Sequence, residues 1–497
     1  SLGQKAINDG FASFIIALGL ILVFMGFYYS NSGWVADIAL FVNIFFMMGV
    51  LTSIGAVLTL PGIAGIVLTV GMSVDANVLI YERIREELRH GKGIRLAIAD
   101  GYKMAYSSIV DSNVTTLIVG VVLFINGTGP IQGFATTLVI GILTSLFTAI
   151  FISRLVFEFM LGRNMNIKFS TKLTENAFKN IKFNWIGNRR IFYGISIAIT
   201  LAGIVSLATR GLSYGIDFTG GRTYVVRFDT PVETGLVAST LATPFGGSAP
   251  EVKTFGDANQ IKITTKFRID DKSENVSTEV EDLLKATLTK AMPTNKLSVE
   301  SSDMVGPTVA DDIKRSSVWS FLFAVAGIFL YIVVRFRKWE FGLGAVISLL
   351  HDSFMLISVF SIFYGILPFS LEIDQAFIAA ILTVMGYSIN DTVVVFDRIR
   401  EYLNENKKAP DMKVVINDAL NATISRTILT SLTIFLVLFA IFIFGGEVIR
   451  GFSFALLVGV VVGTYSSLCI ATPISVDLNR KRNKAIEDAN KKAMATK

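Results

Sequence analysis

The sequence predicts a polytopic α-helical membrane protein built as a parallel internal repeat, with one small α+β domain of ferredoxin-like order. Three observations lead there. Hydrophobic residues make up 52% of the 497 positions and charged residues only 17%, where a soluble domain carries about 25% charged residues. Eleven apolar stretches reach the roughly 20 residues that a spanning helix needs. One unusual segment also occurs twice. GMSVDANVLIYERIREEL (71–88) lies on GYSINDTVVVFDRIREYL (386–403) without gaps, matching at Gly71, Ser73, Val78, Arg83, Ile84, Arg85, Glu86 and Leu88.

The spans fall at about 11–29, 36–59, 62–81, 109–126, 131–157, 191–209, 317–334, 341–364, 375–396, 425–444 and 451–475. Short connections such as Pro61-Gly62, Gly127-Thr128-Gly129-Pro130 and Gly445-Gly446 carry turn residues. Lysine and arginine place the loops. Arg83, Arg85, Arg89, Lys92, Arg95 and Lys103 follow the third span, and Lys168, Lys172, Lys179, Lys182, Arg189 and Arg190 separate the fifth from the sixth. Arg335, Arg337 and Lys338 follow the seventh. Arg398, Arg400, Lys407, Lys408 and Lys413 follow the ninth, and Arg480, Lys481 and Arg482 follow the last. Basic loops stay in the cytoplasm, so eleven crossings put the N-terminus outside and the C-terminus inside.

The remaining composition excludes several classes. A formal net charge of +6 is small for this length and is accounted for by the basic loops rather than by nucleic-acid binding. Cys469 is the single cysteine, so no disulfide forms within the chain. His90 and His351 are far apart and have no cysteine partners, which predicts no metal and no cofactor. No nucleophile–base pair or Walker loop points to an enzyme.

The long loop 211–316 is the one soluble domain and falls outside. Its pattern is strand (222–228), helix (232–242), strand (251–255), strand (261–267), helix (276–291), strand (296–305). That is βαββαβ, the ferredoxin-like order. The predicted organisation is therefore five spans in 1–160, a basic cytoplasmic linker in 161–190 and a further span in 191–210. The outer domain follows in 211–316, a five-span bundle in 317–476 and a basic cytoplasmic tail in 477–497.

The halves repeat beyond the paired segment. At an offset of 318, Gly133-Phe134 falls on Gly451-Phe452 and Gly141 on Gly459. Both copies run the same way across the membrane, and parallel repeats of this kind hold their sites near the repeat interface. The second half has a leading span and an outer domain that the first half lacks. The repeat thus predicts an equivalent span and domain upstream of Ser1, cut away or on another chain.

Ser388, Asn390, Asp391 and Thr392 put four polar groups in five residues where lipid is the solvent. An ionisable group there costs roughly 2.5–3.5 kcal/mol on insertion scales, so it turns inward and usually has a function. In the first copy the acid is displaced by one position. Asp75 faces Asn390, and Ala76 faces Asp391. Asp391 lies seven residues before Arg398, about 10 Å from the cytoplasmic edge at 1.5 Å per residue. The tenth span opens with Ser425-Arg426-Thr427, and its first-half counterpart has Ser108 in place of the arginine. Burial disfavours a charged carboxylate and a nearby arginine favours it. A carboxylate held between those pulls suits a proton relay. Asp75, Asp391 and Arg426 are the coupling candidates. Asn77, Ser388, Asn390, Thr392, Asp111 and Asp352 are candidates to line the path.

Blander readings stand beside these. Arg426 can be an interfacial arginine snorkelling to water. Asp75 and Asp391 can be hydrogen-bonding groups that lock helices together. Asp111 lies near the edge of its span, which favours a structural role, and His351-Asp352 can be a structural polar pair. Gly71, Gly141, Gly386 and Gly459 read as close helix contacts. Glu82-Arg83 and Asp397-Arg398 read as solvated helix ends with i,i+4 partners.

Several segments resemble the SecD/SecF family. GIDFTGG (215–221), VGPTV (305–309), LHD (350–352), GYSINDTVVVFDRIRE (386–401) and SRTILTS (425–431) look like SecF. TLPGIAG (59–65), GMSVDANVLIYERIREEL and GTGP (127–130) look like the membrane half of SecD. The whole chain is similar to a fused SecDF, a relative of the resistance-nodulation-division transporters. The resemblance implies a multi-pass protein of the bacterial cytoplasmic (inner) membrane that uses the proton gradient to draw secreted preproteins outward after SecA has driven them through SecYEG. YidC and YajC are further implied partners. The family's proton-coupling residues match here at Asp75, Asp391 and Arg426. The usual first SecD span and large periplasmic domain have no match. Na+ in place of H+ stays open, although an arginine at the site argues against a tight Na+ cage. The rival reading is an exporter of small molecules or lipids from the same superfamily, and a third is a passive scaffold for the translocon.

Overall fold

The computed structural model describes residues 4–56, 59–178, 181–247, 249–271, 273, 275–407 and 411–479. The basic tail from Arg480 onward, Lys179 and Lys408 lie outside the described residues. Among the described residues eleven helices are long and apolar enough to cross a membrane. In chain order they are Asn8–Tyr29, Asn31–Ser53, Pro61–Arg89, Ile94–Asn126, Pro130–Gly162, Arg189–Thr209, Pro307–Phe336, Trp339–Phe363, Gln375–Glu405, Met412–Phe444 and Glu447–Leu478. They are called the first to eleventh helices below.

Each expected span has its helix, but several helices overrun their apolar stretch, the seventh beginning at Pro307 rather than near 317. The fourth begins at Ile94 and the tenth at Met412, while the third runs to Arg89 and the ninth to Glu405. Hydropathy marks only the part that sits in lipid. A helix continues past it wherever side chains i,i+3 apart can pair, as Arg85 does with Glu82 at 2.7 Å. The segment expected as a basic linker is also packed. Phe169, Thr174 and Ile186 are buried, Arg85 Nη2 donates to Thr174 O at 2.6 Å, and Trp185 Nε1 donates to Asn421 Oδ1 at 3.0 Å.

The third and ninth helices form the centre. Of their apolar stretches 83% and 94% are buried, against 17% for the sixth helix. Glycines set how near their neighbours come, and they do so in repeat-related pairs. A Cβ at Gly71 would lie 3.3 Å from Val437 of the tenth helix, and one at Gly386 would lie 3.5 Å from Val119 of the fourth. Each half's central helix thus packs on the other half's next helix. Within the halves, a Cβ at Gly141 would lie 2.6 Å from Thr69, and one at Gly459 would overlap Val384. The fifth and eleventh helices each contain one π-helical turn, Thr148–Ile152 and Ser467–Ala471. These fall at equivalent places in the two halves.

The α/β domain follows the expected order. Strands β2 (Gly221–Phe228), β3 (Glu251–Phe255), β4 (Asp257–Thr265) and β5 (Leu297–Val305) form one antiparallel sheet in the order β3-β4-β2-β5. Helices Thr234–Ala242 and Val276–Ala291 cover it through Val237, Leu241, Val280, Leu284 and Leu288. Sequence patterning does not show how the domain is tied down. Two-residue strand β1 (Ser213–Tyr214) pairs in parallel with β6 (Glu372–Ile373), just ahead of the ninth helix. A second tie forms where Gly256, between β3 and β4, faces Glu447 at the start of the eleventh helix.

The glycine seams give a test. Gly459→Leu is expected to destabilise the bundle by about 3 kcal/mol, the upper end for an overpacked interior. A Cβ at Gly49 would meet nothing within 4 Å, and Gly49→Leu is expected to leave stability unchanged. Thermal midpoints in detergent, compared by fluorescence-detected size exclusion, decide between them.

Candidate functional site between the repeats

The crossing of the third and ninth helices carries a buried polar cluster. Asp75, Asp391 and Arg426 are 7%, 1% and 5% exposed. Asn390 Nδ2 donates to Asp75 Oδ2 at 2.9 Å. Those two residues occupy the same position in the two copies, so the repeat touches itself there. Arg426 enters from the tenth helix and lies within the electrostatic field of both carboxylates. It is enclosed by protein and does not snorkel. Ser431 Oγ approaches Asp391 Oδ2 at 3.5 Å. It also shares a 2.6 Å hydrogen bond with Thr464 and accepts one from Tyr387 at 3.2 Å.

The cluster is under-bonded. Asp75 Oδ1, Asp391 Oδ1, Asn390 Oδ1, Arg426 Nε and Nη1, and Thr427 Oγ1 are buried without a hydrogen-bond partner in the protein. Nearby Asn77 also leaves Oδ1 unpartnered. Native interiors seldom leave polar atoms so, and a concentration of them at one place sets this crossing apart from the rest of the bundle. Among the described residues no group of three or more His, Cys, Asp or Glu side chains converges as a metal-ligand set.

The other path candidates separate into distinct contacts. Asp352 is fully engaged on the eighth helix. It accepts from Ser388 at 2.6 Å and Ser466 at 2.7 Å, and His351 Nδ1 lies 3.0 Å away. Ser388 therefore turns toward the eighth and eleventh helices. Thr392 does likewise, contacting Ser467 at 2.9 Å. Asp111 turns toward the seventh helix, accepting from Arg335 Nε at 2.6 Å and Tyr331 at 2.8 Å. Arg335, read from sequence as a loop cation, thus belongs to the bundle. Asp37 of the second helix escaped sequence reading. It is buried with neither oxygen partnered, and the offset of 315 that relates Asp75 to Asn390 places it on Asp352.

The charged ends of the third and ninth helices are not solvated i,i+4 pairs. Arg83 bonds Glu86 at 3.1 Å and Glu401 at 2.8 Å. Arg398 bonds Glu401 at 2.7 Å and also Glu86. Two i,i+3 pairs are thus cross-linked between the halves by the reach of their long side chains.

The α/β domain bears on the other end of the ninth helix. Asp374 caps that helix by accepting from Phe377 N at 2.8 Å, and Asp217 accepts from Gln375 N at 2.9 Å. Burial, reinforced by the Asp217 charge, pushes the Asp374 carboxyl up to about 6. Burial also raises Asp217. Against its own burial, Lys262 and then Lys253 hold Glu372 below the usual range. One continuous helix therefore runs from the domain contact to Asp391.

A two-half helical bundle with opposed acids and one arginine enclosed at the repeat interface defines a membrane protein of repeat-transporter architecture. Comparison with known proteins is specific. A family model described as "Protein export membrane protein SecD/SecF, C-terminal" matches residues 1–163 and 284–481, and the "SecD/SecF GG Motif" matches 205–232. The chain is 37% identical over 492 residues to the protein translocase subunit SecDF of Bacillus subtilis, covering 95% of this chain and 64% of that one. It is 46% identical over 305 residues to SecF of Rhodothermus marinus, covering 61% of this chain and 96% of that one. The crystal structure of SecDF, a translocon-associated membrane protein from Thermus thermophilus, superposes with a TM-score of 0.85 at 33% identity, covering 97% of this chain and 64% of that one. The chain belongs to the SecD/SecF family. It spans 64% of the length of the Bacillus SecDF relative.

Asp374 gives a pH test. It ionises near 6 in the folded chain and at the ordinary 3.8 when unfolded. Between those values the folded chain holds a proton that the unfolded chain has released, so stability falls as pH rises through the window and levels off above it. The full swing is about 2–3 kcal/mol at 1.36 kcal/mol per unit. Asp374→Asn keeps the cap and is expected to flatten the thermal-midpoint slope between pH 4 and 6. An unchanged slope would assign the dependence elsewhere.

Proposed function

We propose that this chain is a proton-coupled component of the Sec protein translocase, promoting preprotein export across the bacterial cytoplasmic membrane. The observation that carries the reading is the enclosed cluster of Asp75, Asp391 and Arg426 at the contact between the repeats. With one proton shared by the two carboxylates, the cluster is electrically neutral. Gaining or losing a proton leaves a net charge in a place where charge is costly. A proton entering or leaving therefore favours a different arrangement of the helices that carry these groups.

The membrane potential supplies about 2.3 kcal/mol per charge at 100 mV, several times thermal energy. The ninth helix connects the cluster to the domain contact at Asp217 and Asp374, so rearrangement at one end reaches the other. The basic ends of the third and ninth helices mark the cytoplasmic side. On this reading the chain's N-terminus and the α/β domain lie outside. H+ rather than Na+ is the coupling ion, because a resident arginine competes with a second cation. The client is a secreted preprotein, and the working partners are SecYEG and SecA, with YidC and YajC alongside. The relatives' names favour protein translocation over small-molecule or lipid export.

The test is preprotein translocation into inverted vesicles carrying the complete protein, with and without a proton gradient. We expect the gradient to stimulate wild type and to give Asp391→Asn and Asp75→Asn at most about a tenth of that gain, the loss that 1.4 kcal/mol of coupling produces. Equal stimulation of wild type and variants at matched expression would make the carboxylates structural and favour a scaffold.

A further inference from the structure

We propose that Arg83, Glu86, Arg398 and Glu401 form the cytoplasmic gate on the ion path to the Asp75–Asp391–Arg426 cluster, a role that rests on the proposed function of that cluster. The four come from the repeated RIRE segment and close a ring between the third and ninth helices. Each arginine bonds the glutamate three residues along its own helix and the glutamate of the opposite half. The arginine side chains are 12% and 8% exposed and the glutamates 29% and 24%, so the arginines are shielded and the glutamates reach the solvent.

Its position suits a gate. The ring begins eight residues beyond Asp75, about 12 Å along the helix. Residues 78–81 and 393–396, between the cluster and the ring, are buried and largely apolar, and the polar contacts lie beside the ring itself. Ser425 donates to Glu82 at 2.8 Å and Ser108 donates to Asp397 at 2.7 Å, each across the halves. In the other direction, residues 379–385 of the ninth helix are buried and apolar, except for Thr383, which bonds its own helix at Ala379 O. The ring is thus the charged layer between the cluster and the basic ends of the two helices.

The pairing also allows opening at low cost. Breaking a buried pair by removing one partner costs about 3–5 kcal/mol because it strands a charge. Here, parting of the halves breaks only the two contacts between helices. Every charge keeps its partner on its own helix. The ring therefore has two arrangements with no isolated ion in either, as a bistable element requires.

The test exchanges charges without removing them. Exchanging Arg83→Glu and Glu86→Arg together keeps the pair within the third helix but sets like charge against like charge between halves. Adding Arg398→Glu and Glu401→Arg restores attraction throughout. Access is read as the rate at which a small charged thiol reagent, added outside inverted vesicles, labels Ser431→Cys in a Cys469→Ser background. We expect the one-helix exchange to speed labelling at least about tenfold, a shift of 1.4 kcal/mol toward the open state. The two-helix exchange should return it to the starting rate. Unchanged labelling in the one-helix exchange overturns the gate. So does fast labelling in both, which would mean loosened packing. Recovery in the more heavily substituted chain excludes misfolding as the cause. Labelling reports access alone, so loss of the export reading at Asp391 would show separately.

Discussion

Everything else in this molecule depends on how closely the third and ninth helices approach their neighbours in the opposite half. Glycines at Gly71 and Gly386 let each half's central helix lie against the other half's next helix. That approach places Asn390 on Asp75 and locks Arg83 and Arg398 to the opposite glutamates. Lipid-facing helices gain little from burying apolar surface, so close packing and hydrogen bonds between helices must hold them together. Here the same contacts that hold the halves together also enclose the acids.

The frame is nearly two-fold while the chemistry is not. Glycine seams, π-helical turns and the four-charge ring recur in both halves, yet Arg426 stands opposite Ser108, and Asp391 opposite Ala76. The same contrast separates the second acid pair. Asp352 is fully bonded by His351, Ser388 and Ser466, whereas Asp37 at the equivalent place has no partner. Under the proposed function, symmetric contacts would supply two similar bodies, and asymmetric charges would let a single proton favour one arrangement over another.

Much of this was legible in the sequence because it rests on spacing. Lipid demands long apolar helices, which show as hydropathy. The repeat shows as matched residues, and the ferredoxin-like order follows from alternating strand and helix patterns. The cluster residues stood out as polar groups in apolar surroundings. What escaped was pairing over distance. Nothing local marks Arg335 as the partner of Asp111, or Glu401 as that of Arg83. The strand pair β1–β6 is two residues long and carries no pattern. Asp37 was recoverable in principle, since the offset of 315 leads to it from Asp352, but a lone acid near a span's start reads as a boundary residue.

The two π-helical turns, Thr148–Ile152 and Ser467–Ala471, bear on history. Such a turn accommodates an extra residue in a helix and interrupts its regular hydrogen bonding. Finding one at equivalent places in both halves is most simply explained by inheritance from a single ancestral half, before duplication. Arg426 has no counterpart, so it marks divergence afterwards. The ancestral unit already had its π-helical turn when two identical copies first faced each other, and the unequal placing of two acids and one arginine came later, on an inherited scaffold.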